Sequence, residues 1–246
     1  MTLRLLTLFC CLSFTLMTSA QISGGQIRRS SPHSSQNNQA TKKKPVSSNR
    51  NYISEPDGYA NGHGYVDLGL PSKTKWATCN VGANSPEESG HHLGWGETEP
   101  KVAYETRLFG IAIDDISDSE IYDVAKIRWG NGWTIPTKQQ WKELIQHCKY
   151  KGIERNGIYG YLFTGINGKS IFLPAAGRRK SGFNPVFPGW NYWSSNADYR
   201  YRYEKYYNGY ENAYSTCFII FYEDSKIFDD AAWRDNGYSI RPVYKY

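Results

Sequence analysis

Thr137-Lys138-Gln139-Gln140-Trp141-Lys142-Glu143-Leu144-Ile145-Gln146-His147-Cys148 decides the fold, because it is the one stretch that reads cleanly as a helix. Thr137 followed three residues later by Gln140 is a capping box: the hydroxyl accepts a free amide of the first turn while the Gln side chain bonds back. Trp141, Leu144, Ile145 and Cys148 then fall on one apolar face at i, i+3, i+4 and i+7. Lys149 and Lys151 suit the negative end of a helix dipole, and Gly152 supplies the stop. The pattern predicts a helix from Lys138 to Tyr150.

Outward from it, short strands and Gly, Asn and Pro turns dominate. Tyr65 to Leu68, Lys75 to Cys79, His92 to Trp95, Leu162 to Thr164 and Ser170 to Leu173 read as strands, with Asn167-Gly168 turning the chain before Ser170. Tyr214 to Tyr222 is dense in aromatic and β-branched residues, turns at Asp224-Ser225 and continues near Ile227. Asn236-Gly237 turns into a last strand, Tyr238 to Tyr244. Pro242 cannot donate to a ladder, which predicts that this strand lies at an edge or finishes early. The class is α+β, with many irregular loops.

The ends of the chain differ in kind. Arg4, the apolar run Leu5 to Leu16 and the small residues Thr18-Ser19-Ala20 have the three parts of a cleavable export signal, so residues 1–20 are expected to be removed. The run is shorter than the roughly 20 apolar residues a membrane span needs, and no transmembrane segment is expected after cleavage. Phe9 is bulky where a lipidated Cys10 would need a small residue. Gln21 to Gly62 is rich in Ser, Asn, Gln, Gly and Lys and reads as a disordered tether. It holds six basic residues (Arg28, Arg29, Lys42, Lys43, Lys44, Arg50) against Glu55 and Asp57, a net +4. With Arg4 in the signal, only +1 of the total +6 remains for His63 to Tyr246. Basic charge that lies apart from the aromatic residues argues against nucleic acid as a partner. The remaining 184 residues suffice for one domain with its own core.

Seven phrases occur in order: Tyr65-Val66-Asp67-Leu68-Gly69-Leu70-Pro71-Ser72, Trp76-Ala77-Thr78-Cys79-Asn80-Val81-Gly82-Ala83, Trp95-Gly96-Glu97-Thr98, Trp133-Thr134-Ile135-Pro136-Thr137, Phe172-Leu173-Pro174-Ala175-Ala176-Gly177, Tyr192-Trp193-Ser194-Ser195 and Ser239-Ile240-Arg241-Pro242-Val243. In them the chain resembles the Fibrobacter succinogenes major paralogous domain proteins, common among secreted proteins of Bacteroidetes, over nearly all of residues 63–244. That family is in turn similar to the C-type lectin fold in the version shared with formylglycine-generating enzymes. The resemblance implies a domain whose first and last strands pair while long C-terminal loops form a ligand face.

Trp76, Trp95, Trp133, Trp141 and Trp193 sit beside small residues and are expected in the core. Tyr199-Arg200-Tyr201-Arg202-Tyr203 and Tyr206-Tyr207-Asn208-Gly209-Tyr210 break any strand alternation, and Tyr and Arg are the residues favoured at binding hot spots. With Trp190, Trp233 and Arg234 they form the candidate contact face, for a glycan or protein ligand at the cell exterior. A solvated strand edge would produce the same composition.

Catalytic and metal patterns are weaker. Glu97 and Glu99, as i and i+2 on a strand, would share a face roughly 7 Å apart, but Pro100 marks a strand end. Adjacent His91 and His92 would point to opposite faces. Asp114, Asp115, Asp118, Glu120 and Asp123 lack the spacing of a calcium loop. Trp233-Arg234-Asp235-Asn236 echoes the Trp-Asn-Asp calcium phrase of lectins, interrupted by Arg234. The formylglycine-generating relative holds copper on paired loop cysteines, whereas here only Cys217 is in that region. Cys79, Cys148 and Cys217 are left after signal removal, and the patterns around the last two point to buried free thiols rather than a disulfide framework. The expectation is a secreted or cell-surface binding module that needs no cofactor and is not an enzyme. The alternatives are a loop-carboxylate enzyme and a structural component of the cell surface.

Overall fold

The computed structural model describes residues 53–101, 113–179, 186–187, 189–198, 214–220 and 227–245. The expected export signal and most of the segment expected as a tether lie outside these residues. Ile53 to Gly62, assigned to the tether by composition, are ordered here, and the compact unit runs from Asn49 to Tyr246.

Five short strands form the first sheet: β1 (Gly58–Ala60), β2 (His63–Asp67), β3 (Lys75–Ala77), β4 (Trp133–Thr134) and, from the far end of the sequence, β13 (Val243–Tyr244). Their order is β1-β2-β3-β13-β4. A meander of β5 (Lys149–Arg155), β6 (Ile158–Thr164) and β7 (Ser170–Pro174) forms a second sheet, and β8 (Arg178–Arg179) pairs with β9 (Val186–Phe187). The last sheet is β10 (Trp190–Ala197), β11 (Tyr214–Ile220) and β12 (Ile227–Trp233). Among the described residues the helices are α1 (Val124–Trp129) and α2 (Lys138–His147). The architecture is mixed and strand-rich, as α+β predicts, and no described helix is long and apolar enough to cross a membrane.

The capping box forms as read, with Gln140 N–H bonded to Thr137 Oγ1 at 3.2 Å and Thr137 N–H to Gln140 Oε1 at 2.8 Å. The helix stops three residues short of the expected Tyr150. Cys148 is already extended, and Lys149 and Tyr150 open β5 instead. Cross-strand packing explains the switch: the Tyr150 ring lies 5.4 Å from Phe163 and 6.2 Å from Tyr161, contacts available only if the chain pairs with β6. Gly152 therefore sits within a strand and caps no helix.

The sequence pattern misses α1 because it is only six residues long. Its N-cap, Asp123, is fully buried and accepts from Ala125 N–H, Lys126 N–H, Ile135 N–H, Asp118 N–H and the Thr134 hydroxyl. One carboxylate thus joins the acidic loop, α1 and β4.

Three further expectations are corrected. The first-strand segment Tyr65–Leu68 pairs with β3, not with the last strand, and β13 inserts between β3 and β4. Pro242 does not push β13 to an edge: it precedes the two-residue strand, and its carbonyl accepts Ala77 N–H at 2.9 Å. The expected strand His92–Trp95 shrinks to a single bridge between Leu93 and Tyr238.

All five motif tryptophans are buried. Trp76 and Trp141 meet edge to face at 4.9 Å in one cluster, with Leu144, Phe163 and Leu173, while Trp95, Trp133 and Trp193 fill a second with Val81 and Ile240. Burying an indole strands its N–H unless an acceptor is supplied. Trp95 finds Ser194 O at 3.0 Å, Trp133 finds Ala60 O at 3.0 Å, Trp141 finds Trp193 O at 3.2 Å and Trp193 finds Leu93 O at 2.7 Å. The motif order thus reflects packing: four of the five rings are tied to a backbone far away in sequence, while Trp76 Nε1 is buried with no partner among the described residues.

Arg241 is the other internal tie. Fully buried, it donates to Asn80 Oδ1 (2.7 Å), Ala77 O (3.0 Å), Thr78 O (2.7 Å) and Phe172 O (3.0 Å), so one guanidinium spans from β3 to β7.

Candidate functional site

The sheet β10-β11-β12 carries the candidate contact face. Its register runs Trp190↔Ile220 at one end and Ala197↔Ser215, with Tyr214↔Trp233, at the other. Residues 199–213 therefore connect β10 to β11 at the end where Trp233 lies. Tyr199, Arg200, Tyr201, Arg202, Tyr203, Tyr206 and Tyr207 fall outside the described residues, but the strands that carry them do not.

That end of the sheet is braced along β10 and at the β10–β11 junction. Between Trp193↔Cys217 and Ala197↔Ser215 the register shifts, so β10 carries extra residues opposite β11, a bulge of the kind that re-aims a strand end. Ser194 Oγ donates to Thr216 O at 2.9 Å, and Thr216 Oγ1 to Asp198 at 3.2 Å, closing the base of the connection. From outside, Ala197 N–H bonds Asp114 O at 2.8 Å and Ile116 N–H bonds Ser195 O at 3.0 Å. Asn196 links to Asp115 at 3.2 Å and accepts the first amide of α2, Lys138 N–H, at 2.6 Å. The acidic loop is thus a buttress for this end. Burial pushes the Asp123 carboxyl above its ordinary range. Lys126 bonds Asp118 and Glu120, each at 2.8 Å.

Two residues assigned to the face are corrected by burial. Trp190 is 7% exposed, stands at the opposite end of β10 and packs edge to face on Tyr161 at 5.5 Å. The rest of β10, Asn191 to Ala197, separates it from the Tyr-rich connection, about 23 Å at the rise of a strand. Arg234 is fully buried: its guanidinium lies 4.0 Å over the Trp95 ring, Nε donates to Ser215 Oγ at 2.9 Å, and its carbonyl accepts Trp95 N–H at 2.8 Å. It is an internal cation–π tie beneath the site. Trp233 is half-buried and keeps its place at the end of the sheet.

Glu97 and Glu99 do not work as a pair. Glu97 is buried, takes Gly94 N–H at 3.1 Å and pairs with Lys101 at 2.6 Å, while Glu99 reaches into solvent and pairs with Arg128 at 2.5 Å. His92 bonds Ala176 O at 2.6 Å, and burial depresses the pKa values of His92, His91 and His63. Among the described residues no three His, Cys, Asp or Glu side chains converge as a metal site, and Cys79, Cys148 and Cys217 are free thiols. Burial pushes Cys148 up to about 12.

Sequence reading missed the bracing residues Asn196, Asp198 and Thr216, and read Asp123 only as part of an acidic loop. The one visible signal is the polar Asn196-Ala197-Asp198 directly after an apolar strand, because small polar residues that close a loop base resemble any other turn. Comparison with protein-family models, with curated proteins and with solved structures finds no match to the chain.

Proposed function

We propose that the chain is an exported, cell-surface or secreted binding module of the C-type lectin-like kind suggested by its motif order, and that Tyr199 to Tyr210 with Trp233 form its contact face. The supporting observation is the register of β10-β11-β12. Both ends of the Tyr- and Arg-rich connection and Trp233 meet at one end of a sheet whose β10 strand is hydrogen-bonded to the acidic loop and to the start of α2. Tyr and Arg offer large contact areas at low entropic cost, and a stiff base lowers the ordering penalty of binding further. The ligand is a glycan or a protein at the cell exterior: tyrosine faces stack on sugar rings, and Arg200 and Arg202 supply forked donors.

The test is a glycan array together with pull-down from cell-surface extract, using the mature chain and a Tyr201→Ala plus Tyr203→Ala variant. Loss of a binding hot spot costs about 2 kcal/mol or more, roughly 30-fold in affinity. Binding that survives the double substitution unchanged sinks the proposed face.

A further inference from the structure

Among the described residues β5 is an edge strand of the sheet β5-β6-β7. The hydrogen-bond phase follows from two observations: Ala175 N–H bonds Tyr159 O at 2.7 Å, and Gly160 lies opposite Pro174, which has no N–H to give. Tyr159, Tyr161 and Phe163 therefore bond towards β7, and Ile158, Gly160, Leu162 and Thr164 towards β5. Their β5 partners are Arg155, Ile153, Lys151 and Lys149. Tyr150, Gly152 and Glu154 then turn their N–H and C=O groups outward, where they meet no backbone partner among the described residues. Gly152 and Glu154 are exposed.

A free edge alone is commonplace, and lysines usually guard it. Here the two faces beside the edge differ in chemistry. On the face shared by Gly152, Glu154, Tyr159 and Tyr161 lies a notch of about 370 Å³, lined also by Trp190. It exists because residue 152 has no side chain. A Cβ there would meet only the Tyr161 ring, at an ordinary 3.9 Å, so the glycine is not required by crowding. The opposite face presents Lys149 and Lys151, both exposed and without an ion pair among the described residues.

We infer that β5 receives an extended segment of a partner protein as an added strand. The segment carries an aromatic or long apolar side chain opposite Gly152 and acidic side chains on the other face, opposite Lys149 and Lys151. Outward amides supply the main-chain bonds, the notch takes every second side chain, and the lysines select charge. This surface does not depend on the Tyr199–Tyr210 face and stands or falls separately from it.

The probe is a fluorescein-labelled seven-residue peptide with a central tryptophan and glutamates at alternate positions on either side, titrated with the mature protein by anisotropy. Saturable binding is expected, weakened at least tenfold by Gly152→Val, which fills the notch, and by Lys149→Glu plus Lys151→Glu. Backbone N-methylation of the peptide, which keeps every side chain, abolishes it. Tyr201→Ala plus Tyr203→Ala leaves it unchanged. Absence of binding to the folded wild type overturns the inference, as does equal affinity for the N-methylated peptide. A concentration-dependent dimer in sedimentation that Gly152→Val abolishes also overturns it, because the edge then belongs to a second copy.

Discussion

Replacing Arg241 with methionine tests whether the fold is held by internal polar ties as much as by its tryptophans. The substitution keeps a long apolar stem and removes four donated bonds of 2.7–3.0 Å, leaving Asn80 Oδ1 and the carbonyls of Ala77, Thr78 and Phe172 without their donor. An orphaned buried acceptor costs about 1–3 kcal/mol, for a gross loss of roughly 4–12 kcal/mol. Against that stands relief from burying a cation, a cost of several kcal/mol for an ion taken out of water. Its acceptors are the Asn80 amide oxygen and three backbone carbonyls, so neutral dipoles provide the compensation. Setting that relief against the gross loss leaves a net cost on the order of 3–5 kcal/mol. For a domain of this size each kcal/mol moves Tm by about 2–4 °C, so a fall of roughly 6–20 °C is expected. Arg241→Lys should be no better than methionine, because an ammonium keeps the desolvation cost but cannot fork from β3 to β7. Urea and thermal melts of protein lacking residues 1–20 supply the numbers. A methionine variant within about 1 kcal/mol of wild type, or a lysine variant that restores full stability, refutes the reasoning.

Other outcomes follow from the same physics. Arg234→Ala removes the guanidinium stacked on Trp95 and its bond to Ser215, and should lower stability by about 2–4 kcal/mol in the same melts, marking Arg234 as internal. Asp123→Ala strips the α1 cap and the acceptor for Thr134 and Ile135, with a loss of about 2–4 kcal/mol and earlier amide exchange in residues 113–129. The histidines set an acid limb. His63, His91 and His92 all have depressed pKa values in the fold, so the unfolded chain binds more protons, and stability falls as pH drops below the unfolded value of about 6.5. A urea midpoint unchanged from pH 7.5 to 5.5 contradicts this. In native protein lacking residues 1–20, a thiol reagent should modify the half-exposed Cys79, while Cys148 and Cys217 react only after unfolding.

Much of the fold was legible where one local rule dominated. The capping box at Thr137 fixed the start of α2 to the residue, and the tryptophans beside small residues were all core. The errors arise where a distant partner outvotes the local signal. Tyr150 leaves the helix for the rings of Phe163 and Tyr161, and Gly152 reads as a stop until β6 claims it. At the site, Trp190 and Arg234 look like hot-spot residues by type, yet the length of β10 carries one away and the Trp95 ring covers the other. Residue type cannot say on which side of a strand, or at which end, an aromatic will lie.

Oxidative footprinting of the mature protein, free and saturated with the ligand returned by the glycan array or pull-down, tests the proposed face most directly. Protection concentrated in residues 199–213 and at Trp233 is the predicted result. Protection elsewhere, with those residues as reactive as in the free protein, contradicts it.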